Sequence, residues 1–274
     1  MSYSISKTFR HRAFCFFGLL SLATTPLFAQ KSDTVAIRTS VNQRGLVIGL
    51  NAGLNQLYGD LSSANVRPTV GLLIAYPLGH VVSLNLLGDL GTLSAQQASF
   101  YNSIAKVWYA QAAFGGSVNL TNLFRSKSQR TTSSAQNSLS VYLAAGLISF
   151  NATAYSLTTD QVQRYTNGAG SHRTKSDNIT AVGSAGVTTT HEIVIPIGLR
   201  YNRQLSKAVT LYGDLRYNFF STDKLDATVD NDNTTLSTPN GGYIYGKLND
   251  NNSRDSWASL SVGLAYQVGR NRRQ

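Results

Sequence analysis

After Gly45, apolar and polar side chains alternate residue by residue through most of the chain. In LVIGLNAGLNQ, Leu46, Ile48, Leu50, Ala52 and Leu54 fall on one side. Val47, Gly49, Asn51, Gly53 and Asn55 fall on the other. Successive side chains of a strand point to opposite faces, so a period of two predicts a strand with one greasy face. The pattern recurs around Val70–Leu78, Val82–Asp89, Trp108–Asn119, Leu139–Leu147, Glu192–Asn202, Val209–Phe219 and Ser259–Val268. In the sixth of the eight segments, Ile193, Ile195, Ile197, Leu199 and Tyr201 oppose Glu192, Pro196, Gly198, Arg200 and Asn202. Each segment is about ten residues, the length that a tilted strand needs to cross a bilayer.

The composition of the second face decides between water and lipid. A soluble barrel would place many Lys and Glu there. This chain places Gly, Asn, Ser and Gln, with a few charges at Asp89, Glu192, Arg200, Asp214 and Arg216. Such a face suits a narrow polar interior, and eight strands leave a bore that side chains can fill. The greasy faces carry Tyr58, Tyr76, Trp108, Tyr201, Phe219 and Tyr266 near their ends, as an interfacial girdle would. A sheet spanning lipid must close on itself, because an open edge leaves backbone groups unpaired. The fold predicted is therefore all-β, an eight-stranded antiparallel up-and-down transmembrane β-barrel over residues 45–269. A soluble, secreted lipocalin-like barrel binding a small apolar ligand is the first alternative.

The start of the chain reads as an export signal. Lys7, Arg10 and Arg12 precede the apolar stretch from Ala13 to Ala23, and TTPLFA ends at Ala29. This n-h-c order predicts a signal peptide over residues 1–29, followed by a periplasmic segment 30–44. Cys15 would leave with it, so the mature chain would have no thiol chemistry. The short links PLGH and QLSKA alternate with longer ones, which places both termini and the basic tail 270–274 in the periplasm. TNLFRSKSQRTTSSAQNS, after the fourth segment, is longer than that alternation expects.

Several stretches, YGDLSSANVRPTVGLLIAYPLG, IPIGLRYNRQLS, FFSTDKLDATVD and DSWASLSVGLAYQVG, resemble small stand-alone outer-membrane β-barrel proteins of the OmpA-like and PorT-like kind. The resemblance implies an integral barrel of the Gram-negative outer membrane without enzymatic activity. Two departures stand out. No wall-binding domain follows the last segment, and the chain ends in GRNRRQ rather than on an aromatic, leaving Tyr266 as the candidate assembly signal.

Charge and chemistry add little to that picture. The formal net charge is +11, yet Lys and Arg scatter over turns, loops and the tail without interleaved aromatics. Nucleic acid is therefore not expected, and outer-membrane lipids with lipopolysaccharide are the expected partners, alongside an envelope or surface protein. Across the turn QLSKA, Arg200 is expected near Tyr212 with Asp214 a diagonal step away. Arg216, Glu192 and Asp89 would complete an interior polar network. His191-Glu192 with Ser184 upstream suggests Ser-His-acid chemistry and a lipid-modifying enzyme as the second alternative, but adjacent strand residues face opposite ways. No catalytic set, metal site or cofactor is predicted. Asp226, Asp230 and Asp232 fail the EF-hand pattern and are read as a solvated loop, and GGYIYGKL as a strand extension above the membrane.

Overall fold

The alternation becomes a closed wall. In a computed structural model, residues 45–59, 61–99, 101–125, 136–165, 189–220, 225–227, 236–237, 243–244 and 255–268 are described. The predicted signal peptide, the segment 30–44 and the tail lie outside the described residues. The strands are β1 (Leu46–Tyr58), β2 (Ser63–Pro77), β3 (Val82–Gln97), β4 (Ser103–Asn119), β5 (Asn137–Ser156), β6 (Val162–Tyr165), β7 (Thr190–Gln204), β8 (Val209–Phe220), β9 (Leu236–Ser237), β10 (Tyr243–Ile244) and β11 (Ser256–Val268). A single helical turn, α1 (Leu120–Leu123), follows β4.

The neighbours run β4-β3-β2-β1-β11-β8-β7-β5, and β4 pairs with β5, which closes an eight-stranded antiparallel barrel. The seam joins the first and last long strands, from Leu46 opposite Val268 to Tyr58 opposite Ser256. β6 pairs only with the end of β5, at Thr153 to Tyr155. β9 and β10 pair with each other, so Tyr243 and Ile244, the described residues of the GGYIYGKL stretch, pair with Ser237 and Leu236 rather than with a strand of the wall. No helix among the described residues is long and apolar enough to cross a membrane.

The direction of the faces follows the sequence. Ile193, Ile195 and Ile197 are 55%, 43% and 40% exposed on the outside, while Arg200 is 6% exposed within the bore. A soluble barrel would require the reverse. Leu50, Val70, Leu90, Phe114, Leu143 and Val262 continue the apolar exterior around the wall. The aromatics divide between the ends. Tyr76, Tyr201 and Tyr266 lie toward the short turns, and Tyr58, Trp108 and Phe219 toward the long connections. Tyr266 pairs with Ile48, ten residues before Tyr58 on β1. That span is about 33 Å along the strand, or about 25 Å of height at the usual barrel tilt.

Three details depart from the sequence reading. The strands are longer than about ten residues, reaching 20 in β5, so the link 59–62 is as short as the turns 78–81 and 205–208, and 98–102 is one residue longer. β2 carries a bulge between Asn65 and Thr69, where Pro68 has no N–H to donate. Pro196 likewise sits where the β5–β7 ladder is interrupted, between Leu143–Ile197 and Gly146–Val194.

The interior is also not polar throughout. Toward the long connections the inward positions turn apolar and pack as one cluster, with Leu57, Val107, Phe150, Phe220 and Trp257 all buried. Leu61 and Leu225, from links outside the wall, cap it. Phe150 meets Phe220 edge-on at 5.5 Å, and Tyr109 tilts against Trp257 at 5.6 Å. The bore thus has an aromatic plug at one end.

Candidate functional site

Below the plug lies a buried ionic cluster, built by the inward positions of six strands. β8 supplies Tyr212, Asp214, Arg216 and Asn218 at every second residue. β7 supplies Arg200, β3 Asp89, β4 Gln111, β5 Tyr142 and β1 Asn51. Arg200 Nε donates to Asp214 Oδ2 at 3.0 Å, and Arg216 Nη2 lies 3.4 Å from Asp214 Oδ1. Arg216 Nη1 also donates to Asp89 Oδ2. β3 and β8 stand opposite each other in the strand order, so this ion pair spans the bore.

Neutral donors and acceptors complete the cluster. Tyr142 OH donates to Asp214 Oδ1 at 2.7 Å and accepts from Arg216 Nε at 2.8 Å. Gln111 Nε2 donates to Asp89 Oδ2 at 2.9 Å, and Asn51 Nδ2 to Tyr212 OH at 3.1 Å. The Arg200 guanidinium lies over the Tyr142 ring, 4.8 Å from its centroid. Arg216 and Asp214 are 4% and 2% exposed, so these charges balance one another rather than water. Tyr142 fits because Gly198 faces it; a Cβ there would clash with the Tyr142 hydroxyl.

Of the predicted network, the structure brings together Asp89, Arg200, Tyr212, Asp214 and Arg216. Asp214, not Tyr212, is the direct partner of Arg200, and Tyr212 pairs with Asn202. The pairing starts at Gln204 opposite Thr210, one step beyond the register assumed from QLSKA. Glu192 shares the inward face of β7 but stands eight residues from Arg200, about 26 Å along the strand. It belongs to the rim. Tyr142, Gln111 and Asn51 were missed as members, although each lies on the small-polar face of its segment.

Of the second candidate set, His191 and Glu192 are described and both lie in β7. His191 faces outward and Glu192 inward, as adjacent strand residues must. Ser184 lies outside the described residues. The partner of His191 is Ser149, whose Oγ is 2.7 Å from Nδ1 and which is its cross-strand neighbour. Asp226 is not a solvated carboxylate. It is buried at the loop base, where its N–H and that of Leu225 donate to Asp255 Oδ2 at 3.3 and 2.6 Å. Asp230 and Asp232 lie outside the described residues.

Solved structures with a similar course include Neisserial surface protein A (12% identity, TM-score 0.42, 81% of this chain and 97% of that one). Others are Ail, the attachment invasion locus protein of Yersinia pestis (8%, 0.40, 82% and 99%), and the outer membrane protein OprG from Pseudomonas aeruginosa (7%, 0.42, 82% and 96%). No family model matches the chain, and no curated protein matches it in sequence.

Proposed function

We propose that this chain is an integral outer-membrane β-barrel protein of a Gram-negative cell, with its long connections facing outward. Its role is structural or surface-binding and non-enzymatic. The observation that carries this reading is the inverted polarity of the wall, with Ile193, Ile195 and Ile197 outside and Arg200, Asp214 and Arg216 paired inside. Water would penalise that exterior, whereas acyl chains accept it. The two aromatic tiers, set about 25 Å apart on β1 and β11, match the hydrocarbon thickness that such barrels cross.

The filled bore supports a support-and-display role rather than passage of solutes. An ion pair crosses it from β3 to β8, and the plug around Trp257 lies above. Loops on a rigid support are where binding surfaces commonly sit. Lipopolysaccharide or phospholipid headgroups are the expected contacts of the basic loops, with an envelope or surface protein as a further partner.

Orientation is tested by single cysteines in the mature chain. Gly79→Cys sits in the β2–β3 turn with open space around a Cβ, and Thr159→Cys in the exposed turn after β5. On intact cells an impermeant maleimide should label the cysteine at 159 and spare the one at 79. Labelling only at 79 refutes the orientation. A protein that stays soluble without detergent, with no heat-dependent gel shift, refutes the membrane reading.

A further inference from the structure

Just beyond Trp108 the outside of the wall changes character. Cross-strand partners share a face, and the register runs Asn65 opposite Ser94, Ser94 opposite Lys106, and Lys106 opposite Thr153. These four residues form one transverse row on the outward side of β2 to β5, in which Ser94 is covered by its neighbours. Trp108, with its partners Thr92 and Asn151, forms the next row toward the short-turn end. Ser149 and His191 carry the polar surface round to β7. Elsewhere the exterior is mostly Leu, Ile and Val. A cation on the lipid face costs roughly 2–4 kcal/mol at the midplane and about nothing near the interface, so Lys106 marks headgroup height.

The band has the donors that an anion needs. Lys106 rests its ammonium 4.7 Å from the Tyr155 ring centroid and is exposed. Asn65 Nδ2 donates to Ser94 Oγ at 3.3 Å, which ties the row together. On the described strands β2, β3, β4, β5 and β7, no outward position carries Asp or Glu. Below the band, Trp108, Leu147 and its partner Ile193 are exposed and apolar.

We propose that this collar is a binding site for an anionic, phosphate-bearing lipid of the outer leaflet. Lys106 pairs with the phosphate, Thr153, Asn151 and His191 donate hydrogen bonds, and the acyl chains lie along Trp108, Leu147 and Ile193. The site rests on the membrane reading above and names the lipid chemistry that one part of the wall selects.

Trp108 is also the reporter, since the other tryptophan, Trp257, is sealed in the bore. The barrel is refolded in phosphatidylcholine vesicles containing a minor fraction of brominated-chain lipid, either phosphatidic acid or phosphatidylcholine. One surface cation yields about fivefold enrichment of the anionic lipid, converted from ~1 kcal/mol per Lys or Arg near the surface. Brominated phosphatidic acid should therefore quench Trp108 well beyond the phosphatidylcholine control. Lys106→Glu should abolish that preference and Lys106→Arg retain it, with unchanged heat-dependent gel shifts confirming folding. Equal quenching by the two lipids in the native protein, or a preference that Lys106→Glu leaves intact, overturns the site alone. Displacement by millimolar inorganic phosphate makes it a free-anion site and also overturns it. No quenching by either lipid overturns the membrane reading itself.

Discussion

Neutralising Asp214 tests the energetics of the bore most directly. Asp214 holds Arg200 at 3.0 Å and Arg216 at 3.4 Å. At an effective dielectric of about 20, each contact is worth a gross ~5 kcal/mol, most of it offset by the cost of desolvating the charges. In Asp214→Asn, Arg216 keeps Asp89, whereas Arg200 loses the counter-ion that it faces in the register. Removing one partner of a buried pair costs roughly 3–5 kcal/mol, about two to four decades in the folded-to-unfolded ratio. Urea unfolding in lipid vesicles, read by the heat-dependent gel shift, measures the loss. Adding Arg200→Gln should recover a large part of it, because the stranded charge goes with it. The reasoning fails if Asp214→Asn alone costs less than about 1 kcal/mol, or if the double variant is worse by the sum of the two single losses.

Other positions separate packing from lipid contact. Gly198→Ala should drive a methyl into Tyr142 and cost roughly 1–3 kcal/mol, whereas Gly213→Ala, with open space outside the wall, should be near neutral in the same assay. Val262→Arg, midway along β11 on the exterior, should cost about 2–4 kcal/mol in vesicles; a neutral result would mean that this face meets water. Trp257→Ala should open the plug at a cost of roughly 3–5 kcal/mol, and planar-bilayer recordings should stay silent because the ion pairs beneath still cross the bore.

The wall was legible in the sequence because a period of two fixes facing without any knowledge of pairing. Ile193 to Leu199 could be set outside, and Arg200 inside, from alternation alone. Height and register were not. Glu192 and Arg200 share a face, but only the strand rise separates them, and one step in the β7–β8 turn exchanges Tyr212 for Asp214 as the partner of Arg200. Ser149 as the neighbour of His191 depends on a register set across the long 157–189 connection, which no local pattern encodes. The plug escaped for another reason. At Ile148, Phe150, Val194 and Trp257 the inward face is itself apolar, so alternation ceases to mark inside from outside. Side chains there bury against each other rather than against lipid.

The seam has a consequence for how the chain could be rewired. Leu46 and Val268 are cross-strand partners at one rim, so a brief peptide bridge could join those ends without moving a strand. Fresh termini could then be cut in the chain between β6 and β7. Such a circular permutant would keep every ladder in the wall, yet it would open with β7 and close with β6 on the edge of β5.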